Sequence, residues 1–480
     1  MTINLSQPLK WTNATQDEQK MLRSLQGNIL KGHGRDAAVH IFFEIDPAQA
    51  SAMRAALREL ANFHATSAYQ QLLDTEKFKA TGMSGGTFVS IFLSATGYSA
   101  LNVLPANTPT DPGFLGGMKV AALADPASTF WETEFQSQID GMVLIATEDD
   151  TNLRRERDAV VALLSGKGGG TILKEQRGKQ IRNTAGVGIE HFGYIDGRSQ
   201  PLPLVEEITR ESEQEGIAQW DPSSTLGVAL VKDPGIADPN SFGSYFIFRK
   251  LEQNVREFKR QEQVLATALG LKGEARELAG ALAVGRFEDG TPVTLSDEAR
   301  GLTPPNDFNY NADPGSRCPF HGHIRKTNPR GSGGFEPPND ERKHLMIRRG
   351  ITYEDIPRTV HPTDIPESSS VSDFNSNVAP KLPTGDVGLL FMAYNQELAL
   401  QFEFTQKNWA NFPSFPSAPM PPGIDPVMGQ EKPVSMAPHD WPKVWDDAGQ
   451  GTVPLSFQGF VTMRGGEYFF APSISFLKSL

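Results

Sequence analysis

AVHIFFEI (Ala38–Ile45), followed at once by DPAQASAMRAALRELANF (Asp46–Phe63), decides the first reading of the fold. The first segment is an apolar run rich in β-formers. The second repeats its apolar residues at helical spacing, with Asp46 placed as a cap and Pro47 in the first turn, where a missing N–H costs nothing. Outward from this pair, GTFVSIFLSATGYSAL (Gly86–Leu101) reads as a strand running into a helix or turn. GMVLIATEDD (Gly141–Asp150) repeats the strand, and TNLRRERDAVVALLSG (Thr151–Gly166) the helix, its LRRER an exposed charged face. GGTILKEQRGKQIR (Gly169–Arg182) closes as a strand. The order strand, helix, strand, strand, helix, strand predicts an α+β fold, a ferredoxin-like antiparallel sheet with helices on one face. GSYFIFRKL (Gly243–Leu251) and the charged helix after it begin a second such unit.

At 480 residues the chain is too long for one small core, and two domains are expected. A formal charge of −12 argues against nucleic acid as a partner, because phosphate contacts need a basic face. One cysteine excludes an internal disulfide. The N-terminus has no apolar leader core and no long apolar run follows, so no membrane is expected. A cytoplasmic location is expected, with an extracellular one as the alternative. SGKGGGT (Ser165–Thr171) lacks phosphate-loop spacing and reads as a turn.

Chemistry concentrates in SRCPFHGHIRKTNPRGSGGFEPPNDERKHLMIRRG (Ser316–Gly350), which holds three of the nine histidines and the only cysteine. Neutral imidazole binds iron or zinc, and guanidinium brings fixed donors with a permanent charge. Such a stretch suits a metal-bearing or anionic group. Spacing leaves His321 and His323 open as rival ligands, since residues two apart share a face in a strand and not in a helix. Cys318 with these histidines suggests zinc, but no convincing fourth ligand accompanies them, and a small buried thiol is the better reading. In HFGYIDGRSQP (His191–Pro201), Gly193 and Gly197 bracket Asp196, so the backbone can turn tightly there.

FGYIDG, HIRKTNPR, MIRRG, GLLFMAYN and GGEYFFAPS, in that order, resemble the dye-decolorizing peroxidases, a haem peroxidase family. With LQGNILKGHGR (Leu25–Arg35) the resemblance spans nearly the whole chain, and its long loops look like the larger members. It implies two ferredoxin-like domains: residues 1–205, ending in the G-x-x-D-G motif, and residues 206–480, binding one haem b. It also implies His323 as the proximal iron ligand, and Asp196 and Arg348 as the distal catalytic pair. Only one of Arg348 and Arg349 can face the haem if both lie in a strand. Glu403, in QFEF, matches a carboxylate accepting the ligand histidine's other N–H. Arg330 and Arg325 are candidate propionate partners, and Leu389 and Phe391 candidate distal walls.

The activity so implied is reduction of hydrogen peroxide with one-electron oxidation of dyes, phenolics and other aromatic donors. A haem-handling protein that transfers haem or removes its iron is the alternative, although a carrier has no evident use for a distal acid–base pair. A metal-binding module built on Cys318, His321 and His323 is the third reading. FPSFPSAPMPPGIDP (Phe412–Pro426) reads as a wrapping loop, and SISFLKSL (Ser473–Leu480) as a last strand with a frayed end.

Overall fold

The computed structural model describes residues 2–301, 305–430 and 438–480. In the first half, β1 (Ala37–Glu44), β2 (Phe88–Leu93), β3 (Gly141–Thr147) and β4 (Thr171–Lys179) alternate with α1 (Ala50–Phe63), α2 (Ala68–Thr81) and α3 (Asp150–Val161). Asp46 accepts a hydrogen bond from Ala48 N–H at 2.9 Å and opens the turn that feeds α1. Helix α2, which the strand pattern did not announce, is started by Ser67 and stopped by Gly82 in the left-handed conformation.

The second half supplies β5 (Phe242–Gln253), α4 (Val255–Ala268), the short β6 (Ile347–Arg348), β7 (Ile351–Glu354), β8 (Val387–Asn395) and β9 (Val461–Ala471). All the long strands belong to one antiparallel sheet in the order β7-β8-β5-β9-β2-β3-β1-β4, with β6 paired to β8. Each half therefore repeats one strand order, its fourth strand beside its first, then its third, then its second. That is the ferredoxin-like order expected. The halves join where Phe470 of β9 pairs with Leu93 of β2.

At the other end the sheet curls back on itself. Thr352 Oγ1 of β7 donates to the Lys179 carbonyl of β4, and Gln176 Nε2 donates to Asp355 Oδ1 at 3.0 Å. Gly178 permits the approach, because a Cβ there would sit 2.7 Å from Ile351 Cγ2. The interior is filled by rings from strands that are not sheet neighbours: Phe42 meets Phe248 at 4.8 Å and Phe92 meets Phe246 at 4.2 Å. The first pair, four strands apart in the sheet order, meets only because the sheet closes into a barrel, and each such pair adds about 0.5–1.5 kcal/mol beyond its buried area. Buried on both faces, β2 and β3 read as continuous apolar runs, not alternating ones.

The C-terminus corrects its sequence reading. Ser473 caps a helix, α6 (Ile474–Ser479), which buries Ile474, Phe476 and Leu477. Arg58 of α1 binds the Leu480 carbonyl, so the end is docked, not frayed. Among the described residues, no helix is long and apolar enough to cross a membrane.

Candidate active site

Between α4 and β7 the chain makes a long excursion that carries His323. Gly322 breaks direction, and His323 opens a single helical turn, α5 (His323–Thr327). This separates the rival histidines. His321 is buried, its ring 4.4 Å from Trp441 and 4.6 Å from His439. Burial, then the His439 charge, pushes its pKa well below the ordinary value.

His323 keeps a quarter of its side chain exposed and places Nδ1 2.8 Å from Asp425 Oδ2. Asp425 is sealed from solvent, and its Oδ1 accepts from Val427 N–H at 2.8 Å and Met428 N–H at 2.9 Å. Burial alone would raise this carboxyl. The His323 charge and hydrogen bond, with the two backbone donors, outweigh burial and hold it below the usual range. An ionised acceptor at Nδ1 keeps the proton there and leaves the Nε2 lone pair for a metal, and it raises the imidazole's basicity. Lys326, one turn on, clamps the loop that bears Asp425 through the carbonyls of Phe412 (3.0 Å), Gly423 (2.7 Å) and Phe415. The wrapping loop thus carries a site residue that spacing did not mark.

Glu403 is corrected accordingly. Its Oε1 accepts from the Tyr468 hydroxyl at 3.0 Å and its Oε2 from Lys407 Nζ at 2.7 Å, while Asp425 occupies His323 Nδ1. Arg325 has both Nη atoms engaged, its Nε having no acceptor among the described residues. It binds the Cys318 carbonyl at 2.6 Å and the Asp313 carbonyl at 3.0 Å, with the Asp313 carboxylate at 3.4 Å, so it fastens the 313–318 loop. Cys318 is a buried thiol, pushed up to about 12 by burial.

Arg330 sits differently. Its residue adopts φ +54°, and its Nη atoms bind the carbonyls of Asn306 and Phe308, Asn306 Oδ1 and Ser199 Oγ. All four partners are neutral. Its Nε is buried without an acceptor among the described residues, and burial brings its pKa down to about 9. Asn306 and Ser199 escaped the sequence reading: Asn306 belongs to no motif, and Ser199, although inside HFGYIDGRSQP, is not one of the residues that stretch singled out.

The 196–200 turn connects Arg330 to the other face. Gly193 and Gly197 take φ +104° and +78°, which the tight path around Asp196 requires. Arg348 Nη2 donates to the Arg198 carbonyl at 2.9 Å, and its backbone N–H donates to Gln200 Oε1 at 3.0 Å. Burial lowers the Arg348 pKa, and the neighbouring Asp196 charge opposes that shift. Gly350 lies between Asp196 and Leu389: a Cβ there would be 3.3 Å from Asp196 Oδ2 and 3.4 Å from Leu389 Cδ1. Arg349 turns the opposite way, its Nε donating to the Asn28 carbonyl at 2.8 Å and its Nη2 to Ile29 at 3.1 Å. Leu389 and Phe391 share one face of β8 and are its only half-buried residues.

Comparison with known proteins now bears on this arrangement. Residues 24–177 match the family model described as the DyP dimeric alpha+beta barrel domain. Over the whole of both chains, the protein is 46% identical to the multifunctional dye peroxidase DyP2 of an Amycolatopsis species. The chain belongs to the dye-decolorizing peroxidases. A solved structure of DyP2 superposes with a TM-score of 0.91, covering 100% of each chain. An Anabaena DyP-type peroxidase is 39% identical, with a TM-score of 0.87 over 98% of this chain and 97% of that one. A dye-decolorizing peroxidase solved with 2,6-dimethoxyphenol is 28% identical, with a TM-score of 0.72 over 95% and 98%. As a dye-decolorizing peroxidase the chain is an oxidoreductase that reduces peroxide.

The residues present suit the family's haem. At His323 an imidazole bonded through Nδ1 to Asp425 has its Nε2 unbonded by any described residue, and at Arg330 a cation has no carboxylate partner among the described residues. A half-buried apolar face lies at Leu389 and Phe391.

Proposed function

We propose that His323 would hold one haem b through Nε2 and that Asp196 and Arg348 work on hydrogen peroxide. Haem, when bound, supplies the iron through which electrons pass from donor to peroxide. Asp425 keeps the His323 proton on Nδ1 and strengthens the ligand. Arg330 offers its Nε–H and its charge to a propionate, and Leu389 and Phe391 keep bulky molecules away.

Asp196, to which no described residue donates, takes a proton from one peroxide oxygen and returns it to the other, which leaves as water. Arg348 stabilises the negative charge growing on that departing oxygen. Two single electrons from dyes, phenolics or other aromatic donors then complete a turnover. Residues 1–205 contribute Asp196 to this site and residues 206–480 the remainder.

The observation that carries the reading is the 2.8 Å bond from His323 Nδ1 to a sealed, ionised Asp425. A surface histidine needs no such support. The test is the absorption spectrum of haem-loaded protein before and after one equivalent of hydrogen peroxide, in wild type and His323→Ala. We expect a Soret band that shifts at once with peroxide in wild type, and loss or displacement of that band in the variant. An unaltered band in a folded variant would move the ligand elsewhere. A wild type that binds haem yet ignores peroxide would favour haem handling.

A further inference from the structure

Beside the arginine pair at the end of β6, a cleft of about 130 Å³ lies among the N-terminal GNILKGHGR segment, Arg182 and the Arg349–Ile351 stretch. No step of the peroxidase reaction uses it. Its ionic lining is three guanidinium groups, Arg35, Arg182 and Arg349, against one carboxylate, Asp36. That leaves two positive charges in a chain whose formal charge is −12.

The donors facing the cleft are not all used. Arg349 places one N–H each on the Asn28, Ile29 and Arg348 carbonyls, and a guanidinium has five, so two remain. No carboxylate pairs with it: Glu207, which feels its charge, is bound by Lys31. Arg35 spends Nε on the Gly86 carbonyl at 3.1 Å and Nη1 on the His33 carbonyl at 2.5 Å. Glu148 and Asp74 act on Arg35 from outside the cleft. Arg182 is the one paired cation, holding both oxygens of Asp36.

His33 adds a donor. Its Nδ1 accepts the Arg35 backbone N–H at 3.0 Å, and burial with the neighbouring Arg35 charge pushes its pKa down to about 3. The ring is therefore neutral with its proton on Nε2, which no described residue accepts. Gly32 and Gly34 are exposed at the rim, so no side chain from them closes the entrance.

Spare N–H groups and three guanidinium groups against one carboxylate describe a receptor for negative charge. We propose that this cleft binds a free, doubly charged oxyanion of phosphate size. The cleft has room for a few water molecules' worth of ligand, which excludes a nucleotide or a large dye, and its charge matches a dianion.

The test is isothermal titration of inorganic phosphate into the haem-loaded full chain, with ionic strength held constant by chloride. Wild type should show saturable one-to-one binding. Arg35→Gln combined with Arg182→Gln should weaken it at least about tenfold, since charge-assisted bonds of this kind are the strong ones. Asp36→Asn, which removes the only acidic group and frees Arg182, should tighten binding, and Arg35→Lys should retain most of it. None of these residues belongs to the catalytic machinery, so the reaction with peroxide in phosphate-free buffer should be unchanged. Absence of saturable heat in wild type would overturn the proposal. So would equal affinity in the double variant, or a folded Asp36→Asn that binds no more tightly; that last variant keeps the question decidable if the double one fails to fold.

Discussion

Asp425 and Asp196, the two carboxylates proposed to serve one site, are held in opposite ways. Asp425 is wholly buried and accepts three hydrogen bonds, one from His323 and two from backbone amides. Asp196 is half-buried, and no described residue donates to its carboxylate, although Arg348 lies within electrostatic reach. A carboxylate that satisfies three donors stays ionised and cannot carry a proton. One left without donors can change protonation during a reaction. Immobility suits the group that fixes a ligand, and freedom suits the group that moves a proton.

The sharpest break would come at Asp196. Asp196→Asn should lower kcat/KM for peroxide by roughly 10²–10⁴ with the resting spectrum unchanged, as loss of a proton carrier does. Arg348→Leu should cost about 10²–10³ if its cation stabilises the departing oxygen. Stopped-flow rates with peroxide measure both, and an Asp196→Asn rate within a factor of two of wild type would undo the assignment. Next in size, Asp425→Asn should cost about 10–100-fold in activity or cofactor affinity, the usual effect of removing a ligand's supporting partner. Its reduction potential should rise, because a less basic imidazole stabilises the oxidised metal less. Glu403→Gln is the control that sharpens this comparison: bound to Tyr468 and Lys407, it should leave the potential where it was.

The smallest effect concerns Glu190, which braces the turn before Asp196 through the N–H groups of Phe192 and Tyr194. Burial pushes its pKa up to about 7, against those hydrogen bonds. A carboxyl whose folded pKa is raised stabilises the fold fully below the unfolded value, near 4.3, and that stability is lost as pH rises through about 7. The melting temperature of wild type should therefore fall between pH 4 and 8 by more than that of Glu190→Gln. Parallel curves for the two proteins would show that Glu190 ionises as it does in the unfolded chain.

The strand order of each half was legible because it is local: β-formers, helical spacing and turns report on their own neighbourhood. Closure into one barrel was not, because Phe42 and Phe248, or Leu93 and Phe470, meet across hundreds of residues. The site divides the same way. Asp196, His323 and Arg348 sit in recognisable motifs, and Arg349, which lies just past the end of β6, turns away from Arg348 to the Asn28 carbonyl. Asp425 stands 102 residues beyond His323 in a proline-rich loop, where only the folded path reveals its partner. Glu403 was misassigned because helix residues near a site face several directions, and its face points to Tyr468. Arg325's partners, the Cys318 and Asp313 carbonyls, lie in a loop that no sequence spacing marks.

The rings packed across the barrel interior have a consequence for denaturation. Phe42 and Phe92 come from the first half of the chain, Phe246 and Phe248 from the second, and they form one ring cluster. Neither half can lose structure without exposing aromatic surface belonging to the other. Despite its repeated architecture the protein should melt as one cooperative unit, and a fragment ending near residue 205 should be insoluble unless its complement is supplied with it.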